Sequence, residues 1–285
     1  KNQKERGGKR QRGREFRHPK LHAELEGSEG TAYGGLSLVA TLVRRLRLPQ
    51  RLNEALDLLR EHRPYMESDH VLTHVYNLYV GGSCIEDILY LQGSEAVSRM
   101  LGARRIPDPT TAGDFLRRFD KENLDALNAV QDEMHEQVWR QAYGRKKRKV
   151  ACVDLDSHVK HIYGEQKEGA DFTYKGGYGY HPLAITLAGT QEVLRLLNRW
   201  GNVNSSEGAA VELEGLFPLL NKHFKTVIVR GDSAFAKQEI FDVCEENGQH
   251  FAVVCPAQKN FPAIAESLCE GAWKLSARAG EPPMT

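Results

Sequence analysis

The segment that most constrains the fold of this chain is Lys149-Val-Ala-Cys-Val-Asp-Leu-Asp-Ser-His158, a short apolar strand pattern ending on two carboxylates. Successive strand side chains point to opposite faces, so Asp154 and Asp156 share one face and Leu155 takes the other. The run follows four basic residues, Arg145, Lys146, Lys147 and Arg148. A buried strand that ends in same-face acids is costly unless positive charge compensates it. A divalent cation such as Mg²⁺ or Mn²⁺ supplies that charge and prefers oxygen ligands. The plainer alternative is a pair of surface acids beside a basic linker, and Asp-x-Asp alone does not choose between the two.

With 285 residues the chain can hold two domains of ordinary size. Its formal charge of +1 conceals an uneven distribution: residues 1–20 carry nine Lys or Arg against two Glu. Basic runs of this kind are solvated tails or grips on phosphate backbones. The five cysteines form no Cys-x-x-Cys pair, and Cys152, Cys244 and Cys255 read as small core residues in a reducing compartment. No apolar run approaches the length of a membrane span, and the basic N-terminus precedes no signal-peptide core, so a cytoplasmic protein is expected.

Residues 1–34 read as a basic arm without packed structure. From Gly35 the apolar positions recur at spacings of three and four, beginning with Leu36, Val39, Leu42, Val43 and Leu46. Helices are expected near 36–46, 51–62, 68–79, 84–89 and 94–101, with Ser83 and Glu86 as a capping box for the fourth. A long helix from Asp120 to Tyr143, with Leu124, Leu127, Met134 and Val138 inward and Gly144 as its stop, completes an all-helical domain over 35–143.

Before that long helix, Pro107 and Pro109 set a rigid turn and lead into a helix with Phe115, Leu116 and Phe119 on one side and Arg117 and Arg118 on the other. It reads either as the DNA-entering helix of a helix-turn-helix or as another bundle helix with its arginines in water. After a basic linker at 144–148 the period changes to strands, expected at 149–156, 181–188, 193–197, 226–229 and 251–255. Helices at 206–223, 237–247 and 261–268 interleave with them. The first three strands suit a meander, and the last two follow helices as parallel strands do. If strands one and four are adjacent and parallel, Asp156 and Asp232 meet at one edge of the sheet, where sites form in such folds.

The strings Val153-Asp-Leu-Asp-Ser157, Tyr163-Gly-Glu-Gln166, Gly177-Tyr-Gly-Tyr-His-Pro-Leu183, Asn198-Arg-Trp-Gly-Asn202 and Arg230-Gly-Asp-Ser-Ala-Phe235 stand in this order. Together they resemble the catalytic core of bacterial insertion-sequence DDE transposases over roughly residues 35–268. The resemblance implies an α/β, ribonuclease H-like mixed five-stranded sheet with flanking helices over 149–285, preceded by the all-helical, DNA-binding domain. It implies Asp156 as the first catalytic acid and Asp232 as the second, with Asp154 either a supporting acid or the true first ligand. A third acid, a Glu on a helix beyond strand five, is implied as well. Residues 275–285 do not resemble that helix, and Glu266 and Glu270 stand in the wrong setting. The expectation is therefore a chain that is a fragment or a truncated element, lacking the third acid.

The activity so implied is metal-dependent cleavage at element ends followed by strand transfer into target DNA. Two divalent ions, Mg²⁺ or Mn²⁺, serve such an in-line displacement. The implied partner is double-stranded DNA, with a homodimer holding a pair of ends in a bacterial, nucleoid-associated setting. Arg230 is read as contacting a phosphate or pairing with Asp232. Tyr174, Lys175, Tyr178 and Tyr180 interleave aromatic and basic groups around Gly176, Gly177 and Gly179, and this loop suits backbone and stacked-base contacts or packs locally. A non-catalytic DNA-binding remnant and a metal-dependent nuclease on the same fold are the competing functions.

Overall fold

Arg148–Ser157 forms strand β1, and its burial alternates as the sequence pattern requires: Ala151, Val153 and Leu155 are buried while Cys152 and Asp154 are half-buried and Asp156 is exposed. The computed structural model describes residues 31–144, 146–164, 166–256, 258–269 and 271. The expectations for the arm at 1–30, Arg145, Glu165, Glu270 and residues 272–285 fall outside the described residues. The chain divides into two compact units, Lys1–Arg145 and Lys146–Thr285.

In the second unit, β1 is the middle of five strands. Leu183–Leu187 (β5) pairs with it antiparallel on one side, and Glu192–Leu197 (β6) pairs antiparallel with β5. On the other side Phe224–Gly231 (β7) runs parallel to β1, and His250–Val253 (β8) runs parallel to β7. The order β6-β5-β1-β7-β8, with an antiparallel meander and parallel outer strands, is the ribonuclease H-like arrangement. Ala209–His223 (α8) and Gln238–Glu246 (α9) supply the crossovers. Leu213, Leu216, Phe217 and Leu220 of α8 are buried, as are Val153, Ile185, Val227 and Val229 of the sheet. Burial of each such side chain stabilises the unit by about 1.5–3 kcal/mol. A short helix, Phe261–Ser267 (α10), follows β8.

Three short strands form a second sheet that the sequence reading lacked. Lys160–His161 (β2), Asp171–Phe172 (β3) and Tyr178–Tyr180 (β4) assemble in the order β2-β4-β3, all antiparallel, between β1 and β5 in the chain. Gly201 packs against this small sheet so closely that an added Cβ would collide with the carbonyl oxygens of Gly179 and Asp171.

The first unit is helical. Its elements are Leu36–Arg45 (α1), Leu48–Ala55 (α2), Glu67–Tyr79 (α3), Ile88–Gln92 (α4), Glu95–Leu101 (α5), Pro109–Leu116 (α6) and Lys121–Tyr143 (α7). Leu36, Leu52, Leu72, Tyr76, Ile88, Leu91, Leu101 and Val130 lie in its core. Asp120 caps α7 by accepting from Asn123 N at 2.9 Å, and Gly144 ends it with a positive φ.

Several boundaries differ from expectation for local reasons. Pro49 does not close the first helix; Arg47 turns left-handed and Pro49 opens α2, where its missing N–H costs nothing. The helix expected to reach His62 stops at Ala55. At the fourth helix Asp87, rather than Glu86, caps by accepting from Ser83 N and Cys84 N. Gly208 rather than a serine precedes α8. Leu42, Leu89 and Leu124 are exposed, as is Cys255.

Candidate functional site

The parallel ladder between β1 and β7 sets the geometry of the acids. The ladder ends at the pair Asp154 and Arg230, and Asp156 and Asp232 each lie two residues beyond it, at the same end of the two parallel strands. Asp232 continues β7 in extended conformation and then turns into the short 3₁₀ helix Ser233–Phe235. The turn is tight because Gly231 has no side chain: a Cβ there would lie 2.9 Å from Cβ of Phe235, which is itself buried. Hence the string Arg-Gly-Asp-Ser-Ala-Phe carries both the acid and the bend that presents it.

The three acids differ in their commitments. Asp154 Oδ1 accepts from Arg230 Nε at 2.6 Å and Oδ2 from Nη2 at 2.8 Å, a two-pronged ion pair. Hydrogen bonding to Asp154 also raises the pKa of Arg230 above its ordinary value. Arg230 thus meets Asp154, a partner the sequence reading did not consider, and Asp154 enters the site already neutralised. Asp232 Oδ1 accepts from Ala234 N at 2.9 Å, while Oδ2 has no hydrogen-bond partner among the described residues. Asp156 is exposed and makes no hydrogen bond or ion pair to a described residue. Carboxylates with free oxygens are the donors that a hard divalent cation takes, and Asp156 and Asp232 are donors of that kind.

A cleft of about 520 Å³ opens beside Asp232, which lines it with Ser157, Tyr174, His181, Asn204 and Lys237 among others. His181, fully buried, was missed as a site residue; it stands in the string Gly-Tyr-His-Pro-Leu. Its Nδ1 lies 3.0 Å from the Val203 carbonyl oxygen, which can only accept, so Nδ1 carries the proton. Nε2 is left buried and without a partner among the described residues. Arg199 holds the surrounding loop: Nε donates to His181 O at 2.8 Å, and Nη1 to Glu207 O at 2.6 Å and Ser205 O at 3.1 Å. The Asn198-Arg-Trp-Gly-Asn string is therefore the clamp that joins the small sheet to the wall of the cleft.

The residues expected to touch DNA are dispersed. Arg117 ends α6 rather than lying on it and pairs with Asp114 at 2.6 Å. Arg118 lies beyond the helix and donates to Leu58 O at 3.2 Å. Phe115, stacked on His70 at 4.4 Å, is buried, and so are Ala112 and Gly113 of the same helix. In the second unit Lys146 and Arg148 are exposed, and Lys147 donates to Asn221 O. Lys175 lies 5.7 Å from the ring centre of Tyr174, and Tyr178 packs edge-on to Phe172 at 5.9 Å. Among the described residues no helix is long and apolar enough to cross a membrane.

Comparison with curated protein sequences finds no match. Among solved structures, similarity is found to a piggyBac transposase synaptic complex with hairpin DNA, at 12% identity and a TM-score of 0.35, covering 80% of this chain and 50% of that one. A simian T-cell lymphotropic virus intasome in complex with PP2A regulatory subunit B56 gamma matches at 12% identity and TM-score 0.25, over 62% and 50%. A Mos1 transposase paired-end complex with the left transposon end matches at 11% identity and TM-score 0.24, over 76% and 68%. The chain thus spans half the length of the first two of these. At such scores the assignment rests on the sequence family, whose model, transposase DDE domain group 1, matches residues 14–281. The chain belongs to the DDE transposase domain family.

Proposed function

We propose that this chain belongs to a transposase of an insertion sequence that cuts DNA at element ends and joins them to a target, with Asp156 and Asp232 as two of the three acids that hold Mg²⁺ or Mn²⁺ and the third acid not identified among the residues of this chain. The observation that supports the proposal is the parallel pairing of β1 with β7, which puts Asp156 and Asp232 each two residues past the pair Asp154 and Arg230, while Arg230 neutralises Asp154. When bound, a divalent ion polarises the phosphodiester and activates the attacking oxygen. Asp156, on a strand paired on both sides, is the rigid ligand, and Asp232 is oriented by its bond to Ala234 N. His181 Nε2 accepts a hydrogen bond from a water or hydroxyl in the cleft. Lys146, Arg148, Lys175 and Tyr178 hold phosphates and bases of the double-stranded DNA, and Arg117 and Arg118 add contacts from the helical unit.

The test incubates the purified chain with a labelled element end, a supercoiled target and Mg²⁺ or Mn²⁺. Metal-dependent joined product that disappears in Asp156→Asn supports the proposal. Cleavage without joining would make the protein a nuclease on this fold, and binding without any metal-dependent cutting would make it a non-catalytic DNA-binding protein. Binding itself is expected to survive Asp156→Asn and to fall with salt, at a log–log slope of about −0.9 per phosphate contacted.

A further inference from the structure

We propose that Asp57, His62 and Glu67 form a second metal site, in the helical unit, suited to Zn²⁺. One ligand atom from each of the three lies within 4.8 Å of the others. Glu67 opens α3, yet its carboxylate does not cap that helix. Asp69 Oδ2 accepts from Met66 N at 2.9 Å, and Asn53 Oδ1 accepts from Ser68 N at 2.8 Å. The Glu67 side chain is only 1% exposed and turns back onto the segment between α2 and α3. There its Oε1 accepts from Leu58 N at 3.3 Å and Leu59 N at 3.2 Å, and lies 3.1 Å from His62 Nε2. Oε2 is buried with no hydrogen-bond partner among the described residues.

A buried carboxylate oxygen without a donor is costly, and an ion beside it removes that cost. His62 Nε2 and Glu67 Oε1 now stand at hydrogen-bond distance, 3.1 Å; an ion would take the place of the proton between them, with Oε2 as the carboxylate oxygen still unoccupied. Asp57 and His62 are exposed, and a carboxylate oxygen of Asp57 lies within 4.8 Å of the other two ligand atoms. The mixed set of one imidazole and two carboxylates selects a transition metal of the zinc class over Mg²⁺, which demands oxygen throughout. Three protein ligands leave one position for water.

The ion would fasten residues 57–62 to the first turn of α3. That segment forms one wall of a cleft of about 1120 Å³, which Arg60, Arg63, Arg105 and Arg118 also line. Leu58 O receives the bond from Arg118, so the same clip fixes the second residue beyond α6.

The experiment is calorimetric titration of ZnCl₂ into the full chain carrying Asp156→Asn and Asp232→Asn, which removes the other acids from consideration. The expected result is one Zn²⁺ bound per chain, with a rise in Tm of about 5–10 °C when zinc is at about 100 times Kd. His62→Asn and Asp57→Asn, both at exposed positions that do not endanger folding, are expected to weaken binding at least tenfold, and millimolar Mg²⁺ is expected not to compete. No uptake of zinc, or uptake unchanged by His62→Asn, would overturn the site and leave the reading of Asp156 and Asp232 untouched.

Discussion

Arg230 and Asp154 are lateral neighbours in the β1–β7 ladder, and their two-pronged ion pair divides the three acids of this edge into one neutralised and two free. Asp154→Asn is accordingly expected to leave Mn²⁺ binding within about twofold of the parent, whereas Asp156→Asn is expected to abolish it. Both side chains of the ion pair are well exposed, so its loss should scarcely move the melting temperature. Titration of Mn²⁺ followed by electron paramagnetic resonance distinguishes the variants; equal loss in both would make Asp154 a ligand after all.

Much of this edge was legible in the chain. Alternation along 149–156 matches the burial of β1, and strand-then-helix order matches the parallel pairing of β1 with β7. The partner of Arg230 was not legible, because lateral register between strands some 70 residues apart leaves no local trace. The small sheet escaped because β2, β3 and β4 are two or three residues long and interrupted by glycines, too short for a period of two. Asp57, His62 and Glu67 escaped for another reason. Read as part of a helix, residues five apart point in diverging directions; the helix stops at Ala55, and the irregular segment folds the three together.

Acid should weaken the helical unit through His70. Burial first, then the nearby charges of His74 and Arg118, lower its pKa to about 4, against about 6.5 in the unfolded chain. The unfolded state binds more protons between these values. The stability contributed by neutral His70 is therefore fully present above about pH 6.5 and is lost as pH falls towards 4. The loss should reach about 2–3 kcal/mol. His70→Phe, which keeps a ring to stack on Phe115, should flatten the slope in denaturant melts between pH 6.5 and 4. An unchanged slope would assign the proton uptake to other groups.

Gly201→Ala should detach the small sheet from the loop that carries Arg199. The new Cβ would meet backbone oxygens of Gly179 and Asp171, which cannot swing aside as a side-chain end would. Overpacking of this kind costs about 1–3 kcal/mol. Limited proteolysis is expected to cut residues 160–180 faster in the variant, while β1 and β7 keep their hydrogen-exchange protection. Equal cleavage rates would mean that the small sheet stands without this contact.

On the proposed function Asp232 has two jobs, and one pair of substitutions separates them. Its Oδ1 accepts from Ala234 N and starts the turn after β7; its Oδ2 is the oxygen left for an ion. An asparagine keeps an oxygen for the turn but carries no charge and offers an amide in place of the second oxygen. An alanine keeps neither, and loss of a capping oxygen costs about 0.5–2 kcal/mol. Without metal, then, Asp232→Asn should melt with the parent and Asp232→Ala several degrees lower. With Mn²⁺ added, the parent should rise in Tm by mass action, and both variants should fail to respond. A retained Mn²⁺ response in Asp232→Asn would place the ion on Asp156 and other ligands. A parent-like melting temperature for Asp232→Ala would show that Gly231 and the buried Phe235 hold the turn unaided.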